Sequence, residues 1–501
     1  MSADLQPRLD KARQFLLSNR FAEALPLYQR LLHQRPGDAV LWFECGNAAS
    51  GLQQMDLADR AWTRALELAP GNSELTGLIG HQYQSLRQPD RARDCFSKAA
   101  AADPRGINPR ISLAVLAEQN HCLEEARSAV GQCLKIDPHD EQARYFNAVL
   151  DRRENSLDQA ERELRDLLAS EPKHPFVRYA ARYELANILD RTERYDEAMN
   201  SLTEAKRIVR TLTDTQLLIK AYDQAAASAR AFTRNLPKTI LRTWAVSFPE
   251  QVRQPKVSLA FLGGHPRSGT TLLEQVLDAH PAVAALDEPP AFLKLLQPEF
   301  HRSKVLSAGR LNALRQLYLQ ALSVELGPAA AGKVWVDKNP SPTGRLPLWL
   351  RVFPELRVLI ALRDPRDVLL SCYFQNIPLN TTNVNFLSLE RLAKHYADLM
   401  DIWLMVRGWE GFAWIETRYE DVIAGVEKEG TRVTGFLGLA WHEQQARFYE
   451  KSKRKQLYSP TYQDVTQPVY SRSVGRWRAY AKYLEPVQPA LERYRLAFGY
   501  D

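Results

Sequence analysis

Cysteine is scarce in this chain. The five present (Cys45, Cys95, Cys122, Cys133 and Cys372) are scattered over 501 residues, and no two form a C-x-x-C pair. A disulfide framework and a cysteine-based zinc site are therefore not expected. Long apolar runs are missing too: none approaches the roughly 20 residues an α-helix needs to cross a bilayer. The first stretch, MSADLQPRLDKARQFLL, has the spacing of an amphipathic helix and lacks the apolar core of a secretory leader. These absences point to a reducing, cytoplasmic setting with no membrane span. What is present is ordinary for globular protein, with 45% hydrophobic and 25% charged residues. The length implies two or three domains. A net charge of +7 and a pI near 9.0 suit a polyanionic partner, either nucleic acid or a small, multiply charged cofactor. A mildly basic solvated surface would give the same numbers.

The N-terminal half is periodic. Prolines recur at Pro36, Pro70, Pro104, Pro138 and Pro172, and alanines at Ala24, Ala58, Ala92, Ala126 and Ala160, each 34 residues apart. Four residues after each alanine stands a larger side chain: Tyr28, Trp62, Phe96, Val130 and Leu164. A small residue lets two helices approach, the large one faces the same seam, and proline ends the second helix. This is the signature of tetratricopeptide repeats, each a helix–turn–helix. A sixth unit has its alanine at Ala198, 38 residues after Ala160, and an insertion is expected at KHPFVR (173–178). Such arrays stack into an all-α solenoid with a concave groove, lined here by Arg13, Asn47, His81, Val115 and Val149. Asn47 and His81 could hold a peptide backbone or simply be solvated. Cys45 and Cys133 fall at packing positions. The array is expected over residues 1–210, capping helices and linker over 211–255 with the boundary near Pro255, and a second domain over 256–501.

Beyond 256 the texture changes. Short β-prone runs at 257–262, 333–336, 357–362 and 412–417 alternate with helical patterns such as 311–326 and 389–406. This predicts an α/β domain with a mainly parallel sheet, whose ligands bind beyond the carboxyl ends of the strands. The first run opens into GGHPRSGTTLLEQVL. Gly264 and Gly269 bracket four residues, as in a P-loop, and a helix follows. That arrangement offers backbone N–H groups to an anion. The lysine of ATP-binding loops is absent. Thr270 and Thr271 stand in its place, and the cation is Arg267 within the loop. Arg363 leaves the third run and Ser371 follows eight residues later, a pair able to grip a second phosphate; the bland alternative is an ion pair of Arg363 with Asp364 or Asp367. Lys338 and Tyr419 also lie just past strand ends.

The segments PRSGTTLL, ALDEPP, VDKNP, RDPRDVLLS, RYEDV and SVGRWR, in that order, resemble the sulfotransferases that use 3′-phosphoadenosine 5′-phosphosulfate. The likeness is greatest to the tyrosylprotein sulfotransferase branch, which shares the LDAHP run at 277–281. The resemblance covers residues 256–501 and implies the sulfotransferase fold. It implies that Arg267, Ser268, Gly269, Thr270 and Thr271 hold the 5′-phosphosulfate, and that Arg363 and Ser371 bind the 3′-phosphate. Tyr419 would lie along the nucleotide, while Gly475 and Arg476 would close over it. Glu288 would be the general base and Lys338 would bridge to the leaving oxygen. Thr461, or Ser459 beside it, would be the transition-state hydroxyl. Arg267, Lys338 and the loop N–H groups can stabilise the charge of sulfuryl transfer, so no metal is expected. Gln375 replaces an arginine of the tyrosylprotein branch, and Pro290 and Ala291 replace polar neighbours of the base; these departures bear on the acceptor. The implied enzyme transfers a sulfuryl group to a hydroxyl, with protein tyrosine foremost and a carbohydrate or lipid-linked hydroxyl as the alternative. The repeats would recruit a peptide or protein acceptor, and neither nucleic acid nor membrane is an expected partner. A P-loop kinase or ATPase conflicts with the missing lysine; a non-catalytic repeat scaffold with a nucleotide-binding domain is the remaining reading.

Overall fold

Each 34-residue step is one helical hairpin in the computed structural model, which describes residues 5–246, 257–302, 306–452 and 464–501. The pairs are Leu5–Leu17 with Phe21–Gln34, Ala39–Gly51 with Met55–Leu68, Ser73–Ser85 with Pro89–Ala102, Asn108–Gln119 with Leu123–Ile136, and Glu141–Arg153 with Leu157–Ala169. The recurring alanines and their large partners are all fully buried, as the seam requires. The turn inside each hairpin is also periodic. Asn19, Gln53, Arg87, His121 and Asn155 all adopt left-handed backbone (φ 55, 62, 59, 61 and 65°). The next amide reaches back to the preceding helix, as from Gln54 to the Ala49 carbonyl at 2.9 Å and from Cys122 to the Ala117 carbonyl at 2.9 Å. This bond satisfies a carbonyl that the helix end would leave open.

The second hairpin shows how tight the seam is. A Cβ added at Gly46 would lie 2.4 Å from Nε1 of Trp62, the same nitrogen that donates to Oδ1 of Asn47 at 3.0 Å. Gly46→Ala is therefore expected to destabilise the protein by about 1–3 kcal/mol, measured as a lower urea midpoint. The extra residues of the sixth unit add a turn to a helix. Pro175–Arg191 has 17 residues where Glu141–Arg153 has 13, and both begin three residues after the repeat proline. The expected insertion at 173–178 thus includes the first residues of that longer helix.

Contacts divide the chain into two units, Met1–Val177 and Arg178–Asp501, so the positions 210 and 255 both fall within the second. Polar ties explain why. Lys206, on the helix Tyr195–Thr211, is fully buried and donates to the Phe386 carbonyl at 2.7 Å. Arg210 donates to the Leu387 carbonyl at 2.8 Å, and Asp223 pairs with Arg391 at 2.9 Å. The linker read at 251–256 lies outside the described residues.

The second unit contains a sheet of five parallel strands: β1 Leu259–Gly264, β2 Val283–Asp287, β3 Val334–Lys338, β4 Arg357–Leu362 and β5 Ala413–Arg418, in the order β2-β3-β1-β4-β5. Four of the five follow from the sequence pattern. β2 does not, because VAALD is only five residues long and contains a single β-branched side chain. Gly263 and Gly264 continue β1 instead of ending it, and a Cβ at Gly264 would lie 2.3 Å from the Ala361 carbonyl of β4. Among the described residues no helix is long and apolar enough to cross a membrane.

Candidate functional site

Left-handed backbone shapes the loop after β1. Gly264 (φ 135°), Arg267 (φ 73°) and Gly269 (φ 91°) turn the chain into the helix Thr270–Asp278. Only glycine adopts such angles without cost, so Arg267 is held there by its surroundings. Thr343 brackets the loop's entry, accepting from the Gly264 amide at 2.8 Å and donating to its carbonyl at 2.9 Å. Ser268 closes the turn, its hydroxyl donating to the His265 carbonyl at 2.7 Å. Gly269 permits a close approach: a Cβ there would lie 2.6 Å from the Tyr419 ring. Ser268, Thr270 and Thr271 are all buried at this helix start.

The tip of β4 joins the same place. Nε of Arg267 donates to the Ser371 hydroxyl at 2.9 Å. Arg363 donates to the Arg267 carbonyl at 3.3 Å and to the Ser473 carbonyl, and its guanidinium lies over the Tyr419 ring at 4.7 Å. Its Nε is buried and has no hydrogen-bond partner among the described residues, which is unusual for a guanidinium. The acids beside it are engaged elsewhere. Asp364 pairs with Arg366 at 2.6 Å, and Asp367 accepts from the backbone amides of Gly475 and Trp477, each at 2.7 Å. Gln375 donates to the Ser371 carbonyl at 3.1 Å. Burial pushes the neighbouring Cys372 thiol up to about 12, so it is inert.

At the tips of β2 and β3, Asp287 and Lys338 are register partners. The Lys338 ammonium is wholly buried, ion-paired with Asp287, and 3.1 Å from Oε1 of Glu288. Burial alone would lower its pKa, but Asp287 and Glu288 outweigh burial and raise it, so Lys338 remains charged. Glu288 is the more open acid, with 40% of its side chain exposed. Its backbone is left-handed (φ 53°), and its amide is fixed by the Lys338 carbonyl at 2.8 Å.

Asp337, one residue earlier, points to the opposite face, where the Tyr318 hydroxyl donates to it. Burial pushes its carboxyl up to about 7 against the lowering by Tyr318. The folded state therefore binds the proton more tightly than the unfolded chain, in which an aspartate titrates near 3.9. The stability this contributes is complete below about pH 4 and lost as pH rises through about 7. Relative to Asp337→Asn, the native protein should lose about 1 kcal/mol per pH unit across that window, read from urea midpoints between about pH 4 and 7, and no more above it.

The structure thus gathers Arg267, Ser268, Gly269, Thr270, Thr271, Arg363, Ser371 and Tyr419 around one loop, with Lys338 and Glu288 at the adjoining strand tips. Gly475 is linked to them through Asp367. Arg476 is tied elsewhere: its guanidinium contacts Asp190 at 2.9 Å and stacks on Phe374 at 4.2 Å. Thr461 and Ser459 lie outside the described residues. In the repeats, His81 packs against Phe96 at 4.9 Å, and its Nε2 lies 3.4 Å from the Ser112 hydroxyl. Sequence reasoning named Asp367 only as a possible ion-pair partner of Arg363 and missed its hold on the Gly475 and Trp477 amides; it missed Asp287 and Asp190 altogether. Asp287 left a trace in its adjacency to Glu288, while Asp190 depends on long-range contacts. Among the described residues no group of three or more His, Cys, Asp or Glu could hold a metal ion.

A P-loop-like anion loop without its lysine, set on a parallel sheet and preceded by helical repeats, defines a class of protein. Residues 260–443 match the sulfotransferase family and residues 143–210 the tetratricopeptide repeat; the chain carries both kinds of domain. Parts of the chain are similar to other proteins. Protein-tyrosine sulfotransferase 1 of Homo sapiens is 34% identical over 119 residues, 22% of this chain and 32% of that protein. Protein-tyrosine sulfotransferase A of Caenorhabditis elegans is 24% identical over 195 residues, 36% of this chain and 50% of that protein. An uncharacterized protein of Aquifex aeolicus is 26% identical over 340 residues, 63% of this chain and 42% of that protein. The matched regions thus span half or less of each of these relatives.

Proposed function

We propose that the protein is a sulfotransferase that uses 3′-phosphoadenosine 5′-phosphosulfate, with protein tyrosine as acceptor and the repeat array as its recruiting surface. The observation that carries the reading is the junction of β1 and β4, where Arg267 reaches Ser371 at 2.9 Å and Arg363 reaches the Arg267 carbonyl at 3.3 Å. Two anionic ends of one nucleotide would meet guanidinium and backbone donors there. The residues fit that group: the buried Nε of Arg363 has no partner among the described residues, and Gly264 and Gly269 let β4 and the Tyr419 ring close against the loop while its N–H groups stay available to an anion.

When bound, the nucleotide supplies the sulfuryl group. The loop from Arg267 to Thr271 would hold its 5′ end, and Arg363 with Ser371 its 3′-phosphate. Tyr419 would flank it, and Gly475, fixed by Asp367, would cover it; Arg476 is held by Asp190 and would shape this cover from behind. The Lys338 ammonium, held charged, would stabilise negative charge without a metal. Glu288, the more open acid beside Lys338, would take the acceptor proton. The tyrosine assignment is supported by the names of the human and nematode relatives. Incubation with radiolabelled sulfuryl donor and a cell extract tests it. Label on protein tyrosine is expected; label on glycan or lipid would replace the acceptor, and no label with intact nucleotide binding would make the chain a scaffold.

A further inference from the structure

Two buried imidazoles stand behind the anion loop and have no part in the scheme above. His265, in the loop, and His395, on the helix Leu389–Val406, are 0% and 1% exposed. Nε2 of His265 lies 2.7 Å from Nδ1 of His395, with the rings edge-to-face at 4.7 Å. Tyr222 and Phe386 pack beside His395, and Tyr396 beside His265.

The proton order follows from what each nitrogen meets. Nδ1 of His265 is 2.7 Å from the Pro266 carbonyl oxygen. A carbonyl only accepts, so this nitrogen carries hydrogen, and in a neutral imidazole Nε2 is then a bare acceptor. The Nδ1–H of His395 must donate to it. Burial pushes both imidazoles down, His265 to about 4, which keeps the pair neutral.

The end of this relay is the Pro266 carbonyl, one of three successive carbonyls with internal donors. That of His265 takes the Ser268 amide at 3.1 Å and its hydroxyl at 2.7 Å. That of Pro266 takes His265 and, at 3.6 Å, the Cys372 thiol. That of Arg267 takes Arg363. A loop that offers N–H groups to an anion must turn its oxygens away from it, because a carbonyl facing the anion repels it. A thiol is a weak donor, so His265 is the main restraint on the Pro266 carbonyl.

We propose that His265 and His395 are positioning residues of the anion loop: His395 fixes the tautomer and ring of His265, and His265 holds the Pro266 carbonyl away from the bound phosphate or sulfate oxygens. The inference rests on the nucleotide-binding reading above, and neither residue touches the reacting atoms.

The test compares His395→Phe, which keeps the ring and loses the donor, with His395→Asn, whose amide nitrogen can donate from the Nδ1 position. Affinity for 3′-phosphoadenosine 5′-phosphate is read by calorimetry on the full chain. His395→Phe is expected to bind about 10-fold more weakly and His395→Asn within about threefold of the native protein. Equal affinity in all three, or equal loss in both variants with unchanged melting temperature, would overturn the proposal. Should His395→Phe fail to fold, ¹⁵N shifts of the native imidazoles decide: His265 must be protonated at Nδ1 and bare at Nε2, and the opposite tautomer is fatal. A native protein that does not bind the nucleotide at all would count against the function reading, and the tautomer measurement would still judge the hydrogen-bond relay itself.

Discussion

Arg363→Ala should lower affinity for 3′-phosphoadenosine 5′-phosphate by roughly 100-fold, about 3 kcal/mol, in calorimetry on the full chain. Arg363 makes several interactions at once. It restrains the Arg267 carbonyl at 3.3 Å, anchors the Ser473 carbonyl, lies over Tyr419 at 4.7 Å, and keeps a buried Nε without a partner among the described residues. A hydrogen bond from a guanidinium to phosphate is charge-assisted and about twice as strong as a neutral one. Arg363→Lys should recover only part of the loss, since an ammonium cannot span two carbonyls and an anion from a fixed plane. Arg267→Ala should be comparably severe by a different route, because it frees Ser371 and removes the loop's own cation. Retention of native affinity in both variants would reject the binding site. The loss should also grow less severe in high salt for any contribution from exposed charge, and persist for the buried Arg363.

These residues were legible in the sequence because each sits in a local pattern. Arg267 lies between two glycines at a strand–helix junction, and Arg363 and Ser371 flank a strand end and the next helix. The repeats were legible for the same reason, since a seam built from Ala58 and Trp62 recurs every 34 residues. What stayed hidden depends on distance in sequence. Lys206 reads as a helix-surface lysine until its carbonyl partner, Phe386, is known to lie 2.7 Å away. Consequently a helix with repeat character belongs to the α/β unit, and periodicity alone would assign it to the array. β2 was missed because five residues with a single β-branched side chain leave little strand signal, although parallel pairing with β3 on its neighbouring side holds it firmly. Asp190 shows the same limit. Its carboxylate engages Arg476 at 2.9 Å and the Tyr480 hydroxyl at 2.7 Å, nearly three hundred positions away.

Glu288→Gln should reduce kcat by roughly 10²–10⁴-fold, the usual contribution of a positioned general base, while nucleotide affinity stays near the native value. The choice of variant follows from the geometry. Lys338 lies between Asp287 and Glu288 and is wholly buried, so Lys338→Ala would leave two carboxylates facing each other. Breaking a buried pair in this way costs about 3–5 kcal/mol, and a loss of activity there would be confounded with unfolding. Glutamine keeps an oxygen for the Lys338 ammonium 3.1 Å away and the volume of the native side chain, yet cannot take up a proton at neutral pH. Stability should therefore change little, and the effect should appear in single-turnover rate at saturating donor. Asp287→Asn provides the contrast. Asp287 is buried and paired to Lys338, so its loss should weaken the folded state, visible as a lower urea midpoint, more than it slows the chemical step. Should Glu288→Gln turn over at the native rate, the proton must leave by another group and Glu288 would be reduced to a partner of Lys338.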